Sequence, residues 1–164
     1  QTKKLPDPKN VFSIISPRQS LQEFFKSFIS HVPQCEYIAI LAYTERSQTT
    51  EGILRRVQRK LRDHFHVPVL VGFGPRYLHS IGQLYKGGPA KGLFLTLLPE
   101  ESEDIRVPQT GYTFGQLKRA QALGDLSALS ARHRPTFSLS LNTRPIPALM
   151  QFEKKIDLCL KGCP

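Results

Sequence analysis

A three-layer α/β domain, with a mainly parallel sheet between helices on both faces, is the fold this sequence predicts, and three observations carry the prediction. Three short apolar runs, EYIAILAY (36–43), VPVLVGFG (67–74) and GLFLTLLP (92–99), lack the alternation of a half-exposed strand. Such runs fit strands covered on both faces, as in a parallel sheet. The segments between them carry apolar residues at three-and-four spacing, and strands that alternate with helices build parallel sheets. Finally, 164 residues with 40% hydrophobic and 22% charged content are enough for one core and typical of a globular chain.

The elements follow in order. QTKKLPDPKN (1–10) has two prolines and no apolar periodicity, so it reads as a linker or arm, leaving 11–164 as a single domain. Leu21, Phe24, Phe25, Phe28, Ile29 and Val32 share one face of a helix starting near Ser20, and that face should be buried. After the first strand, Thr49 or Thr50 caps a helix with Ile53, Leu54, Val57, Leu61 and Phe65 as its buried stripe. Pro68 opens the second strand, which ends in a glycine-rich turn. RYLHSIGQLYK (76–86) follows and KGGPAKG closes it, before the third strand. PEESEDIRVPQTG is an acidic surface loop. Thr113 then caps a helix with Phe114, Leu117 and Ala120 inward, and Gly124-Asp125 reads as the end of one helix and the cap of the next. PTFSLSLN alternates Phe137, Leu139 and Leu141 with Ser138 and Ser140, the pattern of a strand with one wet face at a sheet edge. A terminal helix from about Pro147 carries Leu149, Met150, Ile156 and Leu160.

Composition narrows the function. No apolar run approaches the roughly 20 residues of a membrane span and no signal-peptide pattern is present, so no membrane partner is expected. The first residue is Gln1 and not Met, which fits a piece of something longer. Cys35, Cys159 and Cys163 are odd in number and lack CxxC spacing, so the reading is reduced thiols in a cytoplasmic protein, with no disulfide framework or zinc site. A formal charge of +10 suits a polyanion: nucleic acid, an anionic surface or a phosphorylated small molecule. Arg55, Arg56, Arg59, Lys60 and Arg62 cluster on the second helix, where a solvated face explains them better than phosphate or nucleic-acid contact. No nucleic-acid motif appears, and the aromatics occupy apolar positions instead of interleaving with basic residues.

In α/β sheets ligands bind beyond the carboxyl ends of the strands. The turn after VPVLVGFG is therefore the first place to look, and GFGPRYLHSIGQLYKGGP (72–89) concentrates Arg76, His79, Ser80, Gln83 and Lys86 there. A continuous helix would put His79, Gln83 and Lys86 on one face, where an imidazole, an amide and an ammonium could polarise and protonate sugar oxygens. A structural histidine and a solvated lysine near a helix end are the competing explanations. Gly72-Phe73-Gly74 lacks the third glycine of a dinucleotide loop.

This segment resembles the glucose-6-phosphate isomerase family, whose C-terminal signature has an aromatic at the place of Tyr77, Glu or Gln at Gln83 and the active-site lysine at Lys86. Leu78, His79, Ile81 and Gly82 depart from that general signature. The branch fused to transaldolase is closer. It reads near GPRFLHSTGQLHKGGP against GPRYLHSIGQLYKGGP here, and YTFGxLKxAQAxGDLxAL resembles YTFGQLKRAQALGDLSAL. The likeness runs from about residue 36 to 141.

The resemblance implies a sugar-isomerase-like fold and an aldose–ketose isomerase that interconverts glucose 6-phosphate and fructose 6-phosphate through an enediol, without metal or organic cofactor. Lys86 carries over as the active-site lysine, Gln83 as a group orienting the sugar or Lys86, and His79 as a substrate contact with an added acid–base role. Arg76 and Ser80 are the further substrate-binding candidates. Ile81 replaces the branch's usual threonine and removes a hydroxyl. The expected partners are a sugar phosphate and the remainder of the same polypeptide, its catalytic half with or without a transaldolase domain; a homodimer is compatible. None of Glu23, Glu36, Glu45 or Glu51 stands in the context of the family's base glutamate, so the isolated chain should be slower by about two to four orders of magnitude. A catalytically degenerate sugar-phosphate-binding module and a basic nucleic-acid-binding domain are the alternatives.

Overall fold

The computed structural model describes residues 12–14, 21–99, 104–141 and 144–162. The arm at 1–10, part of the acidic loop and Cys163 lie outside the described residues.

Among the described residues five parallel strands form one sheet in the order β1-β5-β4-β2-β3: β1 (Phe12–Ile14), β2 (Tyr37–Ala42), β3 (Val69–Phe73), β4 (Gly92–Pro99) and β5 (Thr136–Leu141). The helices are α1 (Leu21–His31), α2 (Gln48–Phe65), α3 (Gly82–Gly87), α4 (Phe114–Ser130) and α5 (Pro145–Lys161), with 3₁₀ turns at Val32–Gln34 and Arg76–His79. β2 explains the lack of alternation in its sequence. Ile38, Ile40 and Ala42 pack under α1, α2 and α5, while Ala39 and Leu41 pack under α3 and α4. With both faces covered, every side chain from Ile38 to Ala42 is buried. The domain is thus the three-layer α/β fold with helices on both faces.

The first layer has an aromatic centre. Phe24 and Phe28 of α1 meet Phe137 of β5 edge-on, with ring centroids 5.7 and 5.4 Å apart. Phe152, absent from the sequence reading, comes in from α5 to within 5.7 Å of Phe25. Val32 is buried with the α1 phenylalanines and Ile29 partly so.

Four local expectations are corrected. The cap of α2 is Ser47, neither Thr49 nor Thr50; Thr50 is the reciprocal partner, its hydroxyl accepting from the Ser47 N–H at 2.9 Å while its own N–H donates to Ser47 Oγ. Thr113 does cap α4, with Gln116 completing the box, but α4 runs unbroken through Gly124-Asp125. Its inward face is Ala122, Asp125, Leu126 and Leu129, so Phe114, Leu117 and Ala120 point outward. β5 is not an edge strand: β1 pairs with it on the far side from β4, and Ser138 is buried. The terminal helix begins at Pro145, with Leu149 and Ile156 inward and Met150 exposed.

Two of the five clustered cations of α2, Arg56 and Lys60, are tied into the fold. Arg56 donates to Glu153 at 2.9 and 2.8 Å, and Lys60 bridges Glu153 and Asp157 at 2.9 and 2.8 Å, tying α2 to α5. The Arg56 guanidinium, then Lys60, hold the Glu153 carboxyl down from the usual 4.5 to about 2. A carboxylate depressed in the folded state stabilises above its unfolded pKa, and that stability is lost as pH falls from about 4.5 toward 2. Glu153→Gln should therefore cost about 1 kcal/mol at neutral pH, discounted for its surface position, and most of that deficit should be gone by about pH 2. Urea unfolding at the two pH values measures it.

Candidate functional site

β2 and β4 are neighbours, yet the chain leaves β2 for α2 on one face and β4 for α4 on the other. Their carboxyl ends thus flank a topological switch point, where α/β folds place ligands. Tyr43 stands there, its N–H bonded to the Leu97 carbonyl at 2.9 Å. Beside it Gly74 closes the end of β3, its N–H on the Ala42 carbonyl at 2.9 Å. A Cβ at Gly74 would lie 2.7 Å from three atoms of the Tyr43 ring, so only glycine lets the turn approach so closely.

From that turn the segment Gly72–Pro89 crosses the second face as two short pieces. The 3₁₀ turn Arg76–His79 breaks at Ser80, and α3 begins at Gly82. The continuous helix expected over 76–86 is therefore absent, and His79, Gln83 and Lys86 do not share one helical face. Tyr77 and Tyr85 turn inward on either side of the break and sit in the second core with Tyr43 and Phe94.

At the centre lies a buried polar chain. Asp125, 3% exposed in its side chain, sits with Oδ1 2.6 Å from the Lys86 ammonium. Its Oδ2 accepts from the Tyr77 hydroxyl. The Tyr77 and Tyr43 hydroxyl oxygens are 3.1 Å apart, and since the single Tyr77 proton is committed to Asp125, Tyr43 is the donor of that pair. Burial, then the Asp125 charge, push the Tyr77 phenol far above its ordinary value. Tyr43 is raised to about 12, chiefly by burial. Both stay protonated donors across the physiological range, so a proton can be held at each hydroxyl while Lys86 and Asp125 supply the charge.

Lys86 is also positioned from behind. The buried Arg134 donates through Nη2 to the carbonyls of Lys86 and Gly88, occupying acceptors that the end of α3 leaves free. Its Nε and Nη1 have no partner among the described residues.

The candidates from sequence thus divide. Lys86 is 22% exposed and ion-paired in the second face. Arg76 and Ser80 line a cavity of about 420 Å³ beside the outer edge of β3, together with Arg46 and Arg55. His79 and Gln83 are exposed. Asp125, read from sequence only as a helix cap, and Tyr43 were not among the site candidates, because their partners lie 39 and 34 residues away along the chain. The carboxylates considered as a base are committed elsewhere in two cases: Glu51 to Arg46 and Arg55, and Glu36 to Lys91. Among the described residues no group of three His, Cys, Asp or Glu side chains could hold a metal ion, and no helix is long and apolar enough to cross a membrane.

No family model matches the sequence, and no curated protein matches it. Among solved structures the fold is similar to that of the hypothetical protein TT0462 from Thermus thermophilus, with a TM-score of 0.68 and 19% identity. The match covers 88% of this chain and 41% of that one, so this chain spans less than half of the neighbour's length. At that identity the likeness concerns the fold alone.

Proposed function

We propose that this chain is part of an aldose–ketose isomerase acting on glucose 6-phosphate and fructose 6-phosphate, with Lys86 as its charged catalytic group. The observation that carries the reading is the ion pair of Lys86 with Asp125, which sets an ammonium against a buried counter-ion while leaving the side chain 22% exposed. Those two residues fall in the two segments, GPRYLHSIGQLYKGGP and YTFGQLKRAQALGDLSAL, that carry the resemblance. A cation so placed stabilises the oxyanion that develops as a carbonyl becomes an enediolate. Asp125, itself held by the Tyr77 hydroxyl, keeps the ammonium in position, and Arg134 fixes the backbone beneath it. Arg76 and Ser80 are the substrate contacts from the cavity side. His79 and Gln83, both exposed, are free to meet a sugar from outside.

The proton-abstracting base comes from outside this chain in this account. Glu51 is a poor one, since Arg46 and then Arg55 hold its carboxyl at about 2. Isothermal titration with fructose 6-phosphate, beside Lys86→Ala, tests the reading. Saturable binding that falls at least about tenfold in the variant is the expected result, the loss of one charge-assisted contact. Equal binding by both proteins, or none by either, counts against it. A binding module without turnover is the second reading, favoured by Ile81 at the cavity wall where the family branch has a hydroxyl.

A further inference from the structure

We infer that the cavity beside β3 is an anion site that takes a phosphoryl group, built from Arg46 and Arg55 together with Arg76. Arg46 leads into α2 and Arg55 lies within it, whereas Arg76 follows β3, and all three residues line the one cavity. Neither Arg46 nor Arg55 lies in the segments that carry the family resemblance through Lys86 and Asp125.

Glu51 organises the pair. Arg46 donates to it through Nε at 3.0 Å and Nη2 at 3.3 Å, and Arg55 through Nε at 3.1 Å and Nη2 at 2.6 Å. A guanidinium has five N–H groups, so each arginine retains three after those two bonds. The Arg46 guanidinium also lies over the Phe73 ring, 5.7 Å from its centroid, which holds it against the cavity wall. Arg76 makes no ion pair with any described residue. The remaining wall includes the outer edge of β3, at Val71, Gly72 and Phe73, which has no partner strand among the described residues.

Charge selects the ligand class. Three arginines and one glutamate leave the lining with a net +2 (3 − 1), which a phosphomonoester dianion would neutralise. Arginine forks suit phosphate oxygens because parallel N–H donors match their spacing. The volume of about 420 Å³ is that of a small-molecule site and leaves room for more than the phosphoryl group.

The inference deepens the sugar-phosphate reading through Arg76 and Ser80 but is tested apart from it. The chain is titrated calorimetrically with pyrophosphate and with inorganic phosphate at low ionic strength. One saturable site is expected, weakened about tenfold in Arg76→Ala and again in Arg55→Ala. Lys91→Ala is the control, since it removes one charge at the opposite, amino-terminal end of β4. All three side chains are exposed, so the variants should fold. No saturable binding, or equal weakening by Lys91→Ala, would overturn the site. Pyrophosphate binding that persists while fructose 6-phosphate binding fails would support the site and sink only the sugar reading.

Discussion

Asp125→Ala should destabilise the domain by about 3 kcal/mol, the cost typical of removing one partner from a buried ion pair. The carboxylate is the common acceptor of the Lys86 ammonium and the Tyr77 hydroxyl, and it is almost fully buried. Without it the buried Tyr77 hydroxyl and the partly exposed Lys86 ammonium lose their acceptor at once, and neither can be met by Arg134 or Tyr43, which are donors themselves in this arrangement. Asp125→Asn keeps an acceptor for Tyr77 and loses the charge, so it should cost less than the alanine variant. Tyr77→Phe removes only one donor from Oδ2 and should cost about 1–3 kcal/mol. Urea unfolding of the three variants gives the order; equal stability of Asp125→Ala and the parent would show that the polar chain contributes nothing to the fold.

Phe137→Ala carries the second large effect, about 3–5 kcal/mol. The ring is fully buried in the middle of the sheet and is touched edge-on by Phe24, Phe28 and His31. Three neighbours anchored on a helix cannot collapse into the space without moving α1, so the cavity term adds to the lost transfer energy. Phe137→Leu fills most of that volume and should cost less than half as much. A loss below about 1 kcal/mol for the alanine variant would mean that α1 is less tightly seated than its aromatic contacts indicate.

These two residues also mark what was and was not legible in the sequence. Phe137 was assigned to the apolar face of its strand correctly, because burial on that face leaves an alternating pattern. The opposite face was read as wet, yet Thr136 and Ser138 are buried beneath α4, where Thr136 satisfies its hydroxyl on the Arg134 carbonyl. Small hydroxyl residues that bond locally look the same in sequence whether water or a helix covers them. The strands β2, β3 and β4 were legible because burial on both faces removes alternation. α4 was misread for a related reason: Phe114, Leu117 and Leu123 are apolar but exposed, opposite the buried Ala122 and Leu129, so spacing alone could not orient the helix. Gly124 then suggested a helix end that the unbroken backbone does not have, and this hid Asp125.

The candidate site was legible as a segment but not as a geometry. Lys86 stood out from its context, whereas its partners Asp125 and Arg134 come from beyond β4 and are juxtaposed only by the sheet order. His79, Gln83 and Lys86 were placed on one face by helical arithmetic, which failed because the backbone at Ser80 leaves the helical region (φ −129°, ψ −92°) and α3 starts anew at Gly82. The cationic cavity could not be read at all from spacing, since Arg46 and Arg55 precede Arg76 by a whole helix and strand.

Lys86, set on Asp125, is the group proposed to meet the sugar phosphate. The most direct test follows the side-chain ammonium of Lys86 by ¹H–¹⁵N NMR, assigned with Lys86→Arg, while fructose 6-phosphate is added. The expected result is a signal that is visible in the parent, lost in Asp125→Ala, and shifted saturably by the sugar with the same dissociation constant as calorimetry. A Lys86 signal that stays in place while fructose 6-phosphate binds elsewhere, or a chain that binds no sugar phosphate at all, would contradict it.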